Sequence, residues 1–263
     1  MKSASTATIG RALPSLKRPT DTLAGKIIIG VGVPLIIYSV FLVIEGQSPF
    51  SVYAAMVQCF VGNPYNVGEV FVKLTPVLMA AMAALIPGLV GLNNCGGEGQ
   101  LIMGALMANA VGITVCAGMP GYLGIPVMLL TACLAGALWG ALPLLGKMVF
   151  GMNETLTTLL LNYVTTRFVA FMVFGPIKDP NGNNYPMSPK IGEQLRLPTF
   201  TGTRANFMIF FAIALAVFMW YFINKTELGF KMRAIGGNQA AAVFSGMHVK
   251  KVQCWAFLAG AAL

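Results

Sequence analysis

The stretch IIIGVGVPLIIYSVFLVI, Ile27 to Ile44, contains no charged residue and no helix-ending cluster of polar side chains. At about 1.5 Å of rise per residue, a helix of this length crosses most of a bilayer core roughly 30 Å thick. A cleavable signal sequence would have a shorter apolar core closer to the start, so the run reads as an uncleaved first membrane helix. Lys2, Arg11, Lys17, Arg18 and Lys26 precede it, and no cation follows between Ile27 and Val72. That asymmetry predicts an amino terminus on the cytoplasmic side, with residues 1–26 as a polar cytoplasmic segment and 27–263 as one transmembrane domain.

The rest of the chain has the same character. Of its 263 residues, 57% are hydrophobic and only 10% are charged, where an ordinary soluble domain carries about a quarter charged. The expected fold class is therefore all-α, a polytopic transmembrane helical bundle. After a mildly apolar patch from Phe50 to Val61, too short to span and expected at the interface, spans are predicted at Leu74–Leu92, Leu101–Cys116, Ile125–Gly146, Leu156–Phe174 and Phe207–Ile223. A seventh apolar run, Val252–Leu263, has about half a span's length, which predicts six full spans and a truncated seventh. Counting crossings from an inside amino terminus places Lys147 inside, in agreement with the positive-inside rule. Lys178, Lys190, Arg196 and Arg204 then fall in an external loop and run mildly against that rule.

Composition also excludes functions. The net charge of +9 lies beside apolar segments and forms no basic stripe on a soluble fold, so it reports topology and does not point to nucleic acid. Cys59, Cys95, Cys116, Cys133 and Cys254 form no CxxC pair, and His248 is the only histidine, so no metal site or other cofactor is expected. No GxSxG or HExxH pattern is present. Gly140–Met148, GALPLLGKM, lacks both the phosphate-loop spacing and its Ser or Thr, so no catalytic residue is expected and any ATP hydrolysis belongs to another chain. Gly136 and Gly140 make a GxxxG pair suited to close helix packing.

Three polar constellations stand out against this background. Asn93-Asn94-Cys95-Gly96-Gly97-Glu98-Gly99-Gln100 interrupts the apolar pattern between the second and third spans. It is either a cytoplasmic turn with a solvated Glu98, or a broken-helix element lining or supporting a polar pathway through Asn94, Glu98 and Gln100. On the fifth span Thr155, Thr158, Asn162 and Thr166 fall within an arc of about 80° at 100° per residue. Such a stripe suits a neutral polar solute and equally suits hydrogen bonds between helices. Arg167 lies off this arc. TELGFKMRAIGGNQAAAVFSGM, Thr226 to Met247, reads as an amphipathic basic turn, a break at Gly236-Gly237, and a short Ala-rich helix opened by Asn238. It is either an ordinary basic loop or a helix offered to a partner's groove.

This last segment resembles the cytoplasmic coupling region of ATP-binding-cassette permeases for branched-chain amino acids, simple sugars and nucleosides. The shared pattern is Thr226, Gly229, Arg233-Ala234, Gly236, Asn238, Ala240-Ala241 and Gly246. GLNNCGGEGQ is similar to the family's G-L-F-N-I-G-x-E-G-Q at Gly91, Leu92, Asn94, Gly96, Glu98, Gly99 and Gln100, and departs from it at Asn93 and Cys95. Asn153-Glu154, Leu161-Asn162-Tyr163, GPIKDP at 175–180, and Pro186, Ser188 and Pro189 resemble the nucleoside and simple-sugar branch more than the amino-acid branch. The resemblance implies a multi-pass permease of the bacterial plasma membrane with three protein partners: a cytoplasmic ATPase subunit, a second permease subunit and an extracytoplasmic substrate-binding lipoprotein. Membrane lipid is the other expected partner. It also implies ATPase coupling through Arg233, Gly236, Asn238, Ala240, Ala241 and Gly246, and family members continue for about three more spans. Nucleosides are the expected cargo and ribose-like sugars the alternative. An ion-coupled secondary transporter would find only Glu98 as an intramembrane acid.

Overall fold

The computed structural model describes residues 23–180, 182 and 185–263, so most of the polar segment expected at 1–26 lies outside the described residues. The chain divides into two units, Met1–Asn63 and Pro64–Leu263. In the first, α1 (Leu23–Ile44) turns at Gly46, whose φ of 74° suits glycine, and α2 (Pro49–Val61) starts with proline at its first position. The Tyr53 hydroxyl donates to Leu35 O (2.9 Å) and contacts Ser39 Oγ (2.9 Å), tying α2 to α1. Among the described large apolar side chains of α1 only Leu42 is buried, while Ile28, Ile36 and Ile44 are among those left exposed. An apolar surface of that extent belongs in lipid.

The second unit is helical throughout its regular structure: α3 (Pro64–Gly88), α4 (Gly97–Ile113), α5 (Gly121–Phe150), α6 (Glu154–Phe174), α7 (Met208–Lys225), α8 (Glu227–Gly237), α9 (Gln239–Phe244) and α10 (Val249–Ala262), with one 3-10 turn at Glu193–Leu195. Among the described residues, α1, α3, α5, α6 and α7 are long and apolar enough to cross a membrane. The third expected span is a 17-residue helix and the seventh apolar run lies in a 14-residue one.

Two expected boundaries move. α3 begins at Pro64, ten residues before the expected Leu74, and the loop between α6 and α7 packs against its first turns. Gly68 lies so close to Thr203 that a Cβ would stand 2.6 Å from the threonine's, and Arg204 Nη1 is 3.7 Å from Glu69 Oε1. α4 begins at Gly97 and not Leu101, so Glu98, Gly99 and Gln100 are helical although glycine disfavours helices. The loop itself is fastened to the ends of α4 and α5: Asn109 Nδ2 donates to Ser188 Oγ (2.8 Å), Gln194 Nε2 donates to Ala117 O (3.2 Å), and buried Leu195 fills the notch at Gly124.

Glycines bring the helices together. α5 packs against both α4 and α10, while α3 packs against α10 and α7. Gly136 and Gly140 of the GxxxG pair both face Ala261, and Gly260 lies against Ala83 O and the Pro87 ring. Close backbone approach of this kind replaces the hydrophobic drive that lipid does not supply. The buried core joins Met82, Ile86, Val90, Leu92, Leu144, Met219, Ile235, Ala242 and Phe257. It lies where α3, α7, α8, α9 and α10 converge.

Side-chain caps fix the helix starts at the polar segments. Asn153 Oδ1 accepts from Leu156 N (3.3 Å), Thr226 Oγ1 from Gly229 N (3.1 Å) and Asn238 Oδ1 from Ala241 N (3.0 Å). The break expected at Gly236-Gly237 occurs one residue later: both glycines finish α8, and Asn238 leaves the helix with φ −157° and ψ 103°. Asn238→Ala is expected to cost about 1 kcal/mol and to speed hydrogen exchange at the Ala241 amide. Exchange unchanged from the native protein would mean that the cap does not hold α9.

Candidate functional site

The first two polar constellations meet. Asn94 and Gln100 exchange amide hydrogen bonds, Asn94 Nδ2 donating to Gln100 Oε1 (2.9 Å) and Gln100 Nε2 to Asn94 Oδ1 (3.2 Å), while Gly96 N also donates to Asn94 Oδ1 (3.0 Å). This holds the turn before α4 in one shape. From α6, Asn162 then takes both edges of that turn: its Oδ1 accepts from Gly99 N (2.9 Å) and its Nδ2 donates to Cys95 O (3.0 Å). Cys95 N donates to Thr158 Oγ1 (3.3 Å), and Thr158 is 1% exposed. Freed backbone groups near a helix break are thus satisfied by side chains of a neighbouring helix, as an apolar setting demands.

Gly99 is required by this contact. A Cβ there would stand 2.7 Å from Asn162 Oδ1 and 2.9 Å from Thr165 Oγ1.

Asn94, Gln100, Thr158 and Asn162 therefore form one network, and Glu98 and Thr166 stand outside it. Glu98 is exposed in the first turn of α4, where the helix dipole favours its charge, and no hydrogen bond or ion pair engages its carboxylate among the described residues. Thr166 is exposed and its hydroxyl returns to Asn162 O (3.0 Å) in its own helix. The stripe facing α4 is Thr158, Asn162 and Thr165, the last 0% exposed. The expected arc held Thr166 and left out the adjacent Thr165, which is the one that faces α4.

The third constellation rests on the same turn from its other side. A Cβ on Gly236 would strike Leu89 O, and Gln239 Nε2 would be 3.3 Å from a Cβ on Gly91, whose φ is 76°. Gln253 Nε2 of α10 donates to Val90 O (3.1 Å) in a buried setting. Ile235 and Ala242 anchor α8 and α9 to Val90 and Leu92 in the core. Outward, Ala240 and Ala241 are exposed, Val243 is 58% exposed and Phe244 92%. Gly246, φ 77°, ends α9, with Gly246 N donating to Val243 O and Met247 N to Ala242 O. Arg233 is exposed and donates to Asn224 Oδ1 (3.4 Å). On the same helix Lys231, 2.6 Å from Glu227, donates a hydrogen bond that holds the glutamate's carboxyl below its usual range.

Sequence reasoning passed over Phe244, Gln253 and the Lys147–Glu154 ion pair (2.6 Å) that closes the turn between α5 and α6. Their signals were weak: a phenylalanine in a short apolar run, a lone glutamine, and two charges seven residues apart. The arrangement contains hydrogen-bonding groups and a protruding apolar helix, and among the described residues no group of three or more His, Cys, Asp or Glu side chains is placed to hold a metal ion.

A family model described as "Branched-chain amino acid transport system / permease component" matches residues 66–263. The chain is 30% identical over 251 residues to the glucose ABC transporter permease protein TsgB13 of Haloferax volcanii, covering 90% of this chain and 65% of that protein. It is 34% identical over 219 residues to the guanosine ABC transporter permease protein NupP of Bacillus subtilis, covering 81% and 61%. The nucleoside ABC transporter permease protein NupB of Lactococcus lactis is 24% identical over 237 residues, covering 86% and 64%. The chain thus spans 61% to 65% of the length of these relatives. No solved structure matches it significantly.

Proposed function

The chain belongs to the branched-chain amino acid transport system / permease component family, and from that premise we propose that it is the membrane-spanning subunit of an ATP-binding-cassette importer of nucleosides. It is an integral membrane protein. In this reading it forms the pathway with a second permease subunit, receives solute from an extracytoplasmic binding lipoprotein, and takes its energy from cytoplasmic ATPase subunits docked on α8 and α9. The observation that carries the reading is the Thr226–Met247 segment. Its inner face is locked into the core through Ile235, Gly236 and Ala242, and its outer face offers Ala240, Ala241 and Phe244 at the end of a rigid support.

Asn94, Gln100, Thr158 and Asn162 spend their polar groups on one another and on the turn, so their role in this reading is to support the pathway wall. Glu98 and Thr166, with exposed side chains, are the positions of the set available to a polar solute. Nucleosides are favoured by GPIKDP at 175–180 and by the guanosine and nucleoside permeases among the relatives. The glucose permease among those relatives favours simple sugars as a second reading.

Uptake of labelled guanosine, in cells expressing the gene with its neighbouring transporter genes, separates the two. Competition by unlabelled nucleosides and not by glucose or ribose is the expected result. Competition by sugars alone would move the cargo to the second reading. Uptake that survives ATP depletion and stops when the proton gradient collapses would overturn the importer.

A further inference from the structure

The turn between α3 and α4 is held at both ends by different parts of the molecule. Its first half, Leu89–Leu92, is gripped by the docking segment and α10: Gly236 abuts Leu89 O, Gln253 Nε2 donates to Val90 O, and Val90 and Leu92, 0% and 1% exposed, share a core with Ile235 and Ala242. Its second half, Asn94–Gly99, is gripped by α6. Thr158 accepts from the Cys95 amide, and Asn162 takes the Cys95 carbonyl and the Gly99 amide together. The internal Asn94–Gln100 amide pair keeps the second half from deforming between those grips. A close-packed element of this kind moves as a body, because small displacements of its neighbours are not absorbed by compression.

We propose that the turn Leu89–Gly99 is the relay that couples α8 and α9 to α6, with Asn162 as the positioning residue on the α6 side. The proposal rests on the importer reading above and adds to it the route by which movement of the docking helix reaches a pathway helix. Displacement of α8 and α9 carries Ile235 and Ala242, these carry Val90 and Leu92, and the Cys95 and Gly99 backbone draws on Asn162. Cutting the route at Asn162 leaves the ATPase docking face intact and disconnects it from transport. Coupling is a free energy between sites and needs a measurement of its own, which spatial continuity does not replace.

Cys95 is exposed and lies in the relay, so its thiol is a native reporter, and exposed Cys59 on α2 and buried Cys116 serve as controls. The experiment uses the complete transporter, with its ATPase, partner permease and binding protein, in lipid nanodiscs. Maleimide labelling of each cysteine is read by mass spectrometry in the nucleotide-free and ATP-vanadate-trapped states, alongside ATPase rate and guanosine or glucose uptake in proteoliposomes. The expected result is a Cys95 labelling rate that changes severalfold on trapping while Cys59 stays constant. In Asn162→Leu, ATP hydrolysis persists, uptake falls roughly tenfold, and the Cys95 rate no longer responds to nucleotide. Thr158→Val, nearly identical in shape, shifts all three readouts in the same direction by less, and it decides the matter if Asn162→Leu does not assemble.

A Cys95 rate identical in both states, or uptake that stays in step with ATP hydrolysis in both variants, would overturn the relay while leaving the importer in place. Wild-type transporter with no ATP-dependent uptake of either solute would overturn the importer reading, and the relay with it.

Discussion

Gly236→Ala is expected to destabilise the protein by about 1–3 kcal/mol, while Gly237→Ala, one position on, is expected to be neutral or to stabilise it by up to about 1 kcal/mol. Both glycines lie in the last turn of α8, and by helix propensity alone alanine should improve each. The difference is in what a methyl group meets. At Gly236 it would collide with the Leu89 carbonyl oxygen and stand 3.0 Å from its carbon, and a backbone fixed in the core cannot swing aside. At Gly237 there is nothing within 4 Å. Thermal unfolding of the two variants in detergent, with yield of folded protein as a second readout, checks the contrast. Equal melting temperatures would show that α8 does not press on the Leu89 turn as described. The same contact means that loss of uptake after a bulky change at Gly236 says nothing about ATPase docking.

Phe244→Asp is expected to abolish ATP-driven uptake with the fold of this chain unchanged. The phenylalanine ring is 92% exposed, next to Val243 at 58%, on a helix held from beneath by Ala242. A large aromatic side chain so placed has the character of an interface anchor. Truncating such an anchor commonly costs 2 kcal/mol or more, roughly thirtyfold in affinity, and an aspartate adds the desolvation of a charge. Copurification of the ATPase with the permease is the direct readout: the variant should lose the ATPase and keep its own melting temperature. Full copurification would remove Phe244 from the docking face, and Ala240 and Ala241, which flank it on α9, would be the next positions to test.

Much of this architecture was legible because its causes are local. Apolar runs of spanning length and Asn238 as a cap depend on neighbours a few residues away, so the sequence shows them directly. Segments whose environment is supplied by distant residues were misread. Glu69 and Lys73 depressed the hydropathy of α3's first turns, yet the loop between α6 and α7, more than a hundred residues later, covers Gly68 and approaches Glu69. Gly97 and Gly99 argued against helix, yet α4 starts at Gly97, and residue 99 is glycine because α6 passes too close for any larger residue.

The amino-acid sequence by itself determined that this is a helical membrane protein of permease type, since hydropathy, charge asymmetry and the ordered motifs are properties of the chain read in one dimension. Tertiary structure alone decided how its polar residues are used. The stripe on α6 admitted a solute or a neighbouring helix as partner, the cluster before α4 admitted a simple turn or an element of a polar pathway, and the spacing of each is the same in either case. Folding brings Asn162 within 2.9 Å of the Gly99 amide and Gly236 against Leu89 O, and so commits both motifs to one turn. A hydrogen bond between residues 63 positions apart depends on how helices cross, and crossing is set by the shapes of all the packed side chains together.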